Sequence, residues 1–218
     1  MGARYVDFLV PNRFKHGYGL SPEIVNEAKA EKEPNLIITV DNGISSNEGV
    51  ALARSLGIDV IITDHHLPPK ELPDANAIIN PNLRGCDFPS KNLAGVGVCF
   101  YLFSSLRTHL DSIGYFEKNN IKVPDLRVLL DLVALGTVAD VVKLDQNNRI
   151  LVNEGIKRIR QKKCSKGILA ILELTKRPIE SIQASDLGFT VAPRINAAGR
   201  MSDISQGIRC LLSEDIND

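Results

Sequence analysis

Two short apolar segments, separated by one helix-length segment, constrain the fold of this chain more than any other feature. The segments cover residues 36–40 and 58–62, and both are rich in the β-branched residues typical of buried strands. A strand, a helix and a second strand normally form a right-handed crossover unit, in which the two strands are parallel. The sequence therefore predicts an α/β fold with a parallel sheet flanked by helices.

Polar residues follow both of these predicted strands. Asp41 comes directly after the first strand, and Asp64, His65 and His66 follow the second. Because the carboxyl ends of parallel strands meet at the same edge of a sheet, we expect the four side chains to converge. Carboxylate and imidazole groups together are ligands that divalent metals accept. For an isolated histidine pair, hydrogen-bonded structural residues are the alternative interpretation.

The remaining residues of the first half fit the same α/β pattern. Residues 5–10 are predicted to form a first strand, and residues 11–20 a loop that contains proline and glycine. A helix is predicted over residues 21–32, with Ser21 as its N-cap and proline at its first position. Residues 75–79 are predicted to form a further strand.

From residue 93 onwards the apolar residues follow a helical period. A polar turn at residues 145–148 is the best candidate for a boundary. We therefore expect an α/β core over residues 1–144, followed by a helical extension over residues 145–218. The predicted helices cover residues 93–110, 126–135, 150–160 and 166–174.

Composition excludes several classes of protein. The chain has 26 basic and 26 acidic residues, so it lacks the overall positive charge typical of non-specific nucleic-acid binders. Its longest uncharged apolar stretch, residues 93–106, is too short to span a bilayer, and no membrane role is expected. The 4 cysteines are widely spaced and no signal segment opens the chain, which indicates a cytoplasmic protein with buried thiols.

Three motifs, taken together, resemble those of the DHH phosphoesterase superfamily. They are Val-Asp-Asn-Gly at residues 40–43, Asp-His-His at residues 64–66, and Gly-Thr-Val-Ala-Asp at residues 136–140. Within that superfamily, residues 11–20 and 193–201 are similar to the RecJ family of single-strand-specific 5′→3′ exonucleases. The fold that this resemblance implies, a parallel α/β domain followed by helices, agrees with the periodicity of the sequence.

The resemblance also implies a two-metal phosphoesterase site that uses Mn²⁺ or Mg²⁺. In such a site Asp41 would bridge the metals, while His65 and Asp140 would each be a ligand. His66 would face the scissile phosphate, and Asp64 would orient a neighbouring side chain. Two cations about 3.5–4 Å apart stabilise both the attacking and the leaving oxygen of a phosphoryl displacement.

One family motif is missing from the sequence. Family members carry an Asp-x-Asp-x-Asp-Gly motif after their first strand, and no such motif occurs here. Asp7 does not replace it, because it lies inside an apolar pattern without an acidic partner two residues away. A glycine-rich substrate-binding domain is also absent after Asp218. We therefore expect a fragment with an incomplete metal site, weak binding of a single metal, and little or no catalysis on its own.

Four polar residues are candidates for substrate binding. Arg13 precedes a glycine-rich loop and is expected to bind a phosphate at the 5′ end, with a solvated loop arginine as the alternative. Arg194, Asn196 and Arg200 lie in a segment punctuated by proline and glycine. We expect that segment to be a loop between helices that directs its side chains into a cleft.

The function favoured by the sequence is therefore hydrolysis of single-stranded DNA from its 5′ end, in DNA repair or recombination. Single-stranded DNA and repair proteins are the expected partners. Two alternatives stay open. The first is another DHH enzyme, such as an oligonucleotide or cyclic-dinucleotide phosphodiesterase or a pyrophosphatase. The second is a non-catalytic DHH protein that binds DNA or a protein partner.

Overall fold

The chain forms two compact units, Met1–Lys122 and Val123–Asp218. The computed structural model describes residues 1–11, 16–201 and 205–216, and the side chains of residues 198–201 lie outside this description. The first unit is built on a parallel sheet and the second is helical. The predicted α/β fold with a parallel sheet flanked by helices is confirmed.

A parallel sheet of three strands forms the centre of the first unit. The strands are β1 (Leu36–Val40), β2 (Asp59–Thr63) and β3 (Ala77–Ile79), and they lie in the order β1-β2-β3. Ile38 is paired with Ile61 across the first two strands. Because all strands run in one direction, the loops that follow β1, β2 and β3 leave the sheet at the same edge.

Helices cover this sheet and fill the long connections of the first unit. Ser21 caps the first of them, since its hydroxyl oxygen accepts a hydrogen bond from the Ile24 N–H at 3.5 Å. The apolar core lies between the sheet and the helices and includes Val25, Val60 and Ile62, all fully buried. The helices are α1 (Pro22–Lys32), α2 (Asn47–Ser55), α3 (Gly95–Ser112) and α4 (Tyr115–Lys118).

The strand predicted at residues 5–10 is wrong. No strand is assigned there, and Tyr5 and Val6 are 96% and 82% exposed. Asp7 instead forms an ion pair with the Lys32 ammonium group at 2.7 Å. A strand requires a neighbouring backbone as a hydrogen-bonding partner, and an apolar sequence pattern alone does not provide one. In the described part of the chain, β1 is consequently an edge strand.

The second unit is a layered group of helices around an apolar core. Short 3₁₀ turns lie at Leu126–Leu129 and Ile179–Ser181, and a π-helical turn lies at Leu187–Val191. The α-helices are α5 (Leu130–Ala139), α6 (Gln146–Arg160), α7 (Lys166–Leu174), α8 (Ala184–Asp186), α9 (Ala192–Met201) and α10 (Ser205–Leu212). In the described residues, no helix is both long and apolar enough to cross a lipid bilayer.

The polar turn at residues 145–148 belongs to the second unit. Asp145 is the N-cap of α6, and its carboxylate accepts a hydrogen bond from the Asn148 N–H at 3.0 Å. The compact units of the structure divide after Lys122. The division into an α/β core over residues 1–144 and a helical extension over residues 145–218 stays a prediction.

The loop predicted at residues 193–201 is wrong. These residues lie in α9, which continues directly from the π-helical turn before it. Pro193 follows that π-helical turn closely, so the helix is irregular at the point where the proline lacks an N–H. Arg194 and Asn196 are therefore held on a helix.

Candidate metal centre

The turn after β1 places Asp41 in a conformation that is rare for residues other than glycine. Its φ angle is 64°, and its N–H donates a hydrogen bond to the Thr63 carbonyl at 3.0 Å. The Thr39 hydroxyl donates to the Asn42 carbonyl at 2.7 Å, which tightens the same turn. Gly43 follows with a φ of 107°. Strained residues of this kind concentrate at functional sites, where the surrounding structure holds them.

Helix α3 begins directly against the Asp41 side chain. A Cβ atom on Gly95, the first residue of α3, would lie 2.4 Å from the Asp41 Cβ and 2.5 Å from its Oδ1. Only glycine allows this approach. The amino end of a helix also favours a nearby carboxylate. Gly95 was not among the predicted site residues, although a glycine inside a helical pattern can have a packing reason.

The buried carboxylate of Asp64 joins the loop after β1 to the loop after β2. Its side chain is 1% exposed, and Oδ2 accepts a hydrogen bond from the Ile44 N–H at 2.9 Å. Oδ1 accepts from the N–H groups of His65 and His66 at 2.7 and 3.1 Å, and it lies 2.7 Å from the His66 Nδ1. One carboxylate thus fixes the backbone of both loops.

These hydrogen bonds determine which nitrogen of His66 carries a proton. Burial raises the pKa of Asp64, but the hydrogen bonds from Ile44, His66 and His65 outweigh burial, and the pKa is lowered overall. An ionised carboxylate only accepts hydrogen bonds, so the proton lies on Nδ1 of His66. In the neutral ring, Nε2 then carries the lone pair that a metal requires.

Asp41, His65 and His66 converge at the carboxyl edge of the sheet. The His65 Nε2 lies 3.0 Å from the Asp41 Oδ1, and the two imidazole centroids are 4.6 Å apart. One ligand atom from each of the three residues lies within 4.8 Å of the others. The His65 side chain is 14% exposed and the His66 side chain 48% exposed, so solvent reaches the cluster from one side. One carboxylate and two imidazoles fit a divalent cation with open positions for water or substrate.

Asp140 lies in the second unit, as the C-cap residue of α5. Its N–H donates to the Gly136 carbonyl at 3.0 Å, and the residue is exposed. A carboxylate at this end of a helix is opposed by the helix dipole, which favours cations there. The following residue, Val141, has a φ of 59°, a strained value for a β-branched residue. The role of Asp140 as a metal ligand stays a prediction.

The predicted substrate residues that the structure describes are also in the second unit. The Arg194 Nη1 donates to the Thr190 carbonyl at 2.8 Å, and Asn196 is exposed on the same helix. Arg194 lines a cavity of about 380 Å³ together with residues that include Lys176 and Phe189. Arg13 lies outside the described residues, as does the side chain of Arg200.

Known proteins match this chain over most of its length. A family model described as "DHH family, N-terminal domain" matches residues 1–137. The single-stranded-DNA-specific exonuclease RecJ of Escherichia coli strain K12 is 60% identical over 218 residues, which cover 100% of this chain and 38% of that protein. The RecJ of Bacillus subtilis strain 168 is 41% identical over 210 residues, covering 96% of this chain and 25% of that protein. The chain thus spans less than two fifths of the length of these curated relatives.

Solved structures agree with the sequence comparison. A crystal structure of exonuclease RecJ bound to manganese has a TM-score of 0.77 at 33% identity, over 96% of this chain and 49% of that chain. RecJ from Thermus thermophilus, in complex with Mn²⁺, has a TM-score of 0.70 at 34% identity, over 90% of this chain and 27% of that chain. The sequence resemblance is confirmed by both comparisons, and the chain belongs to the DHH family.

Proposed function

We propose that this chain carries the catalytic residues of a metal-dependent nuclease that degrades single-stranded DNA from its 5′ end. One observation carries the proposal, namely the convergence of Asp41, His65 and His66 at the edge where β1 and β2 end. The relatives named above support the choice of substrate, since their names specify single-stranded DNA. Solved RecJ structures with Mn²⁺ and with Mg²⁺ support a divalent cation.

In this proposal Asp41 and His65 would hold the cation, and Asp41 would also serve a second cation if the two-metal site that the family resemblance implies is formed. Their ligand atoms are already 3.0 Å apart, a separation at which both can contact one ion. Asp140 is proposed as a further ligand on the family resemblance alone. When bound, a divalent cation polarises a phosphoryl oxygen and stabilises the negative charge that develops during displacement.

His66 is proposed to face the scissile phosphate. Its Nδ1 is fixed on the Asp64 carboxylate, so its Nε2 is the nitrogen that can meet a ligand. When protonated there, the ring donates a hydrogen bond to a phosphate oxygen and stabilises its charge. Asp64 acts by holding this ring and the two loops in place, without contact with the phosphate.

The cavity in the second unit is proposed to bind part of the DNA strand. Lys176, Arg177 and Arg194 give it a positive lining, and arginine forms paired hydrogen bonds with phosphate oxygens. Phe189, which also lines it, is largely exposed and presents a ring on which a base can stack. Asn196 is proposed as a neighbouring contact.

Two of the predicted substrate residues are proposed on the family resemblance alone. Arg13 and Arg200 would contact the phosphate backbone, with Arg13 placed at the 5′ end. Repair proteins are proposed as partners in the cell. A phosphodiesterase for short or cyclic oligonucleotides, a pyrophosphatase and a non-catalytic binding protein are less favoured, since the curated relatives named above are single-strand-specific exonucleases.

A chimaera provides the test. The 218 residues of this chain would replace the matching segment of the E. coli relative, to which they are 60% identical. Degradation of 5′-labelled and 3′-labelled oligonucleotides, single-stranded and duplex, would be followed in Mn²⁺. Asp41→Asn is the test variant and Asp74→Asn is the matched control, since Asp74 is an exposed carboxylate of the same unit that pairs with Arg54.

We expect the chimaera to degrade single strands from the 5′ end and to leave duplexes intact. Asp41→Asn should lower the rate by more than about 100-fold, because even the loss of an outer-shell partner costs about 10–100-fold. Asp74→Asn should leave the rate unchanged. Equal rates in both variants, or equal degradation of duplexes, would refute the proposed function.

A further inference from the structure

All four backbone hydrogen-bonding groups of His65 and His66 form hydrogen bonds with side chains. The two N–H groups donate to the Asp64 carboxylate, as described above. On the carbonyl side, the Asn82 Nδ2 donates to the His65 oxygen at 2.6 Å, and the Asn80 Nδ2 donates to the His66 oxygen at 2.8 Å. The histidine pair is thus held between one carboxylate and two carboxamides.

The two asparagines are themselves fixed to each other. The Asn82 N–H donates to the Asn80 Oδ1 at 2.8 Å, so Asn80 uses both ends of its carboxamide. Asn80 is buried, and it directly follows β3. The Pro81 carbonyl between them accepts a hydrogen bond from the Lys91 ammonium group at 2.7 Å. The turn after β3 is therefore held in place by hydrogen bonds that do not involve the histidines.

Asparagine has the hydrogen-bonding groups that this arrangement uses. Each carbonyl needs a donor, which aspartate cannot supply, and Asn80 must accept a hydrogen bond as well as donate one. Leucine has a similar volume but no donor. The two positions also lie at the carboxyl edge of the sheet, because β3 is parallel to the strands that carry Asp41 and the histidines.

We propose that Asn80 and Asn82 are positioning residues for the metal centre, which fix the carbonyl side of the histidine pair as Asp64 fixes its N–H side. The inference rests on the proposed function in that it takes His65 and His66 as residues of the metal centre. It adds a third loop, after β3, to the two that carry the ligands. In this role both asparagines would act through the histidine backbone and not by contact with the metal or the substrate.

The test variant is Asn82→Ala, because Asn82 is only partly buried and its loss should leave the fold intact. Asn76→Ala is the matched control. Asn76 precedes β3 and bonds the other end of β2, where its Oδ1 accepts from the Val60 N–H at 2.8 Å. A loss of stability without a change in the metal centre should appear in both variants. Asn82→Leu provides a second test if the alanine variant does not fold.

Two measurements separate positioning from stability. Titration calorimetry with Mn²⁺ gives the affinity, and long-range ¹H–¹⁵N spectra of the imidazoles in metal-free protein report ring tautomer and environment. We expect Asn82→Ala to lower Mn²⁺ affinity by about 10-fold or more and to shift the ring resonances of His65. Asn76→Ala should change neither the Mn²⁺ affinity nor the ring resonances, even if the melting temperatures of the two variants fall by the same amount.

The inference fails if the imidazole resonances of Asn82→Ala match those of the unsubstituted chain and its Mn²⁺ affinity equals that of Asn76→Ala. If the unsubstituted chain does not bind Mn²⁺, the proposed function fails instead. The imidazole spectra then decide the positioning role alone, since shifted His65 resonances support it and unchanged ones overturn it.

Discussion

Replacing Gly95 by alanine tests how tightly the fold holds the Asp41 carboxylate. The added Cβ would lie 2.4 Å from the Asp41 Cβ and 2.5 Å from its Oδ1. Carbon atoms in contact are normally about 3.5–4.0 Å apart, so the two groups must separate by about 1 Å or more. Gly95 begins α3, a helix of 18 residues, and the clash involves the Asp41 Cβ, so the turn that carries Asp41 or the start of the helix must shift.

Such a displacement should disrupt the ligand geometry. The Asp41 Oδ1 is 3.0 Å from the His65 Nε2, whereas metal–ligand distances tolerate changes of only about 0.2 Å. We therefore expect Gly95→Ala to weaken Mn²⁺ binding by about 10–100-fold, as for other changes that disturb ligand orientation. The free energy of unfolding should fall by no more than about 2.5 kcal/mol, because overpacking costs about 1–3 kcal/mol and the gain in helix propensity offsets about 0.5–1 kcal/mol.

The assay is calorimetric titration with Mn²⁺, together with urea unfolding of the same samples. Gly97→Ala is the matched control on the same helix. The three atoms nearest to its Cβ would all belong to the Leu93 side chain, with Cδ2 at 3.0 Å, and that flexible end can move. Gly97→Ala should bind Mn²⁺ like the unsubstituted chain. Equal Mn²⁺ affinity of the two folded variants would refute the reasoning.

Three further outcomes are expected in the second unit. Gly155→Ala should lower the free energy of unfolding in urea by about 3 kcal/mol, since its Cβ would lie 2.2 Å from the Leu130 carbonyl oxygen. An unchanged urea midpoint would contradict the close approach of α5 and α6. Asp145→Ala should cost about 1 kcal/mol in thermal unfolding through loss of the α6 cap, and an unchanged melting temperature would count against that cap. Burial, reinforced by the Asp131 carboxylate, raises the pKa of Cys164 to about 12. Iodoacetamide labelling of Cys164, followed by mass spectrometry, should be far slower near pH 8 in the folded chain than in the urea-unfolded chain. In the folded chain the labelling rate should rise about tenfold per pH unit. Equal rates in the two states would contradict the raised pKa.

Parts of the fold determined by local pattern could be predicted from the sequence. The β-branched run that forms β1 and the amphipathic segment that forms α7 were predicted with their ends at Leu36–Val40 and Lys166–Leu174. The convergence of Asp41 with the two histidines followed from a topological rule alone, because parallel strands end at one edge. Such rules need only the order of the elements along the chain.

Features that depend on distant partners could not be predicted. Residues 5–10 have the composition of a strand but no described neighbour to pair with. Pro193 lies in a helix that is irregular there, since it closely follows a π-helical turn. Gly95 matters only because Asp41 lies against it in three dimensions. The same holds for Asn80 and Asn82, whose partners are carbonyl groups of a different loop, 14 and 17 residues earlier in the chain.

The central claim is that Asp41 and His65 hold a divalent cation beside His66, and Mn²⁺ titration by calorimetry tests it most directly. The account predicts a single saturable site in the unsubstituted chain, retained by Asp74→Asn and lost by Asp41→Asn and by His65→Gln. Absence of saturable heat in the unsubstituted chain would contradict the claim. So would equal binding by all four proteins.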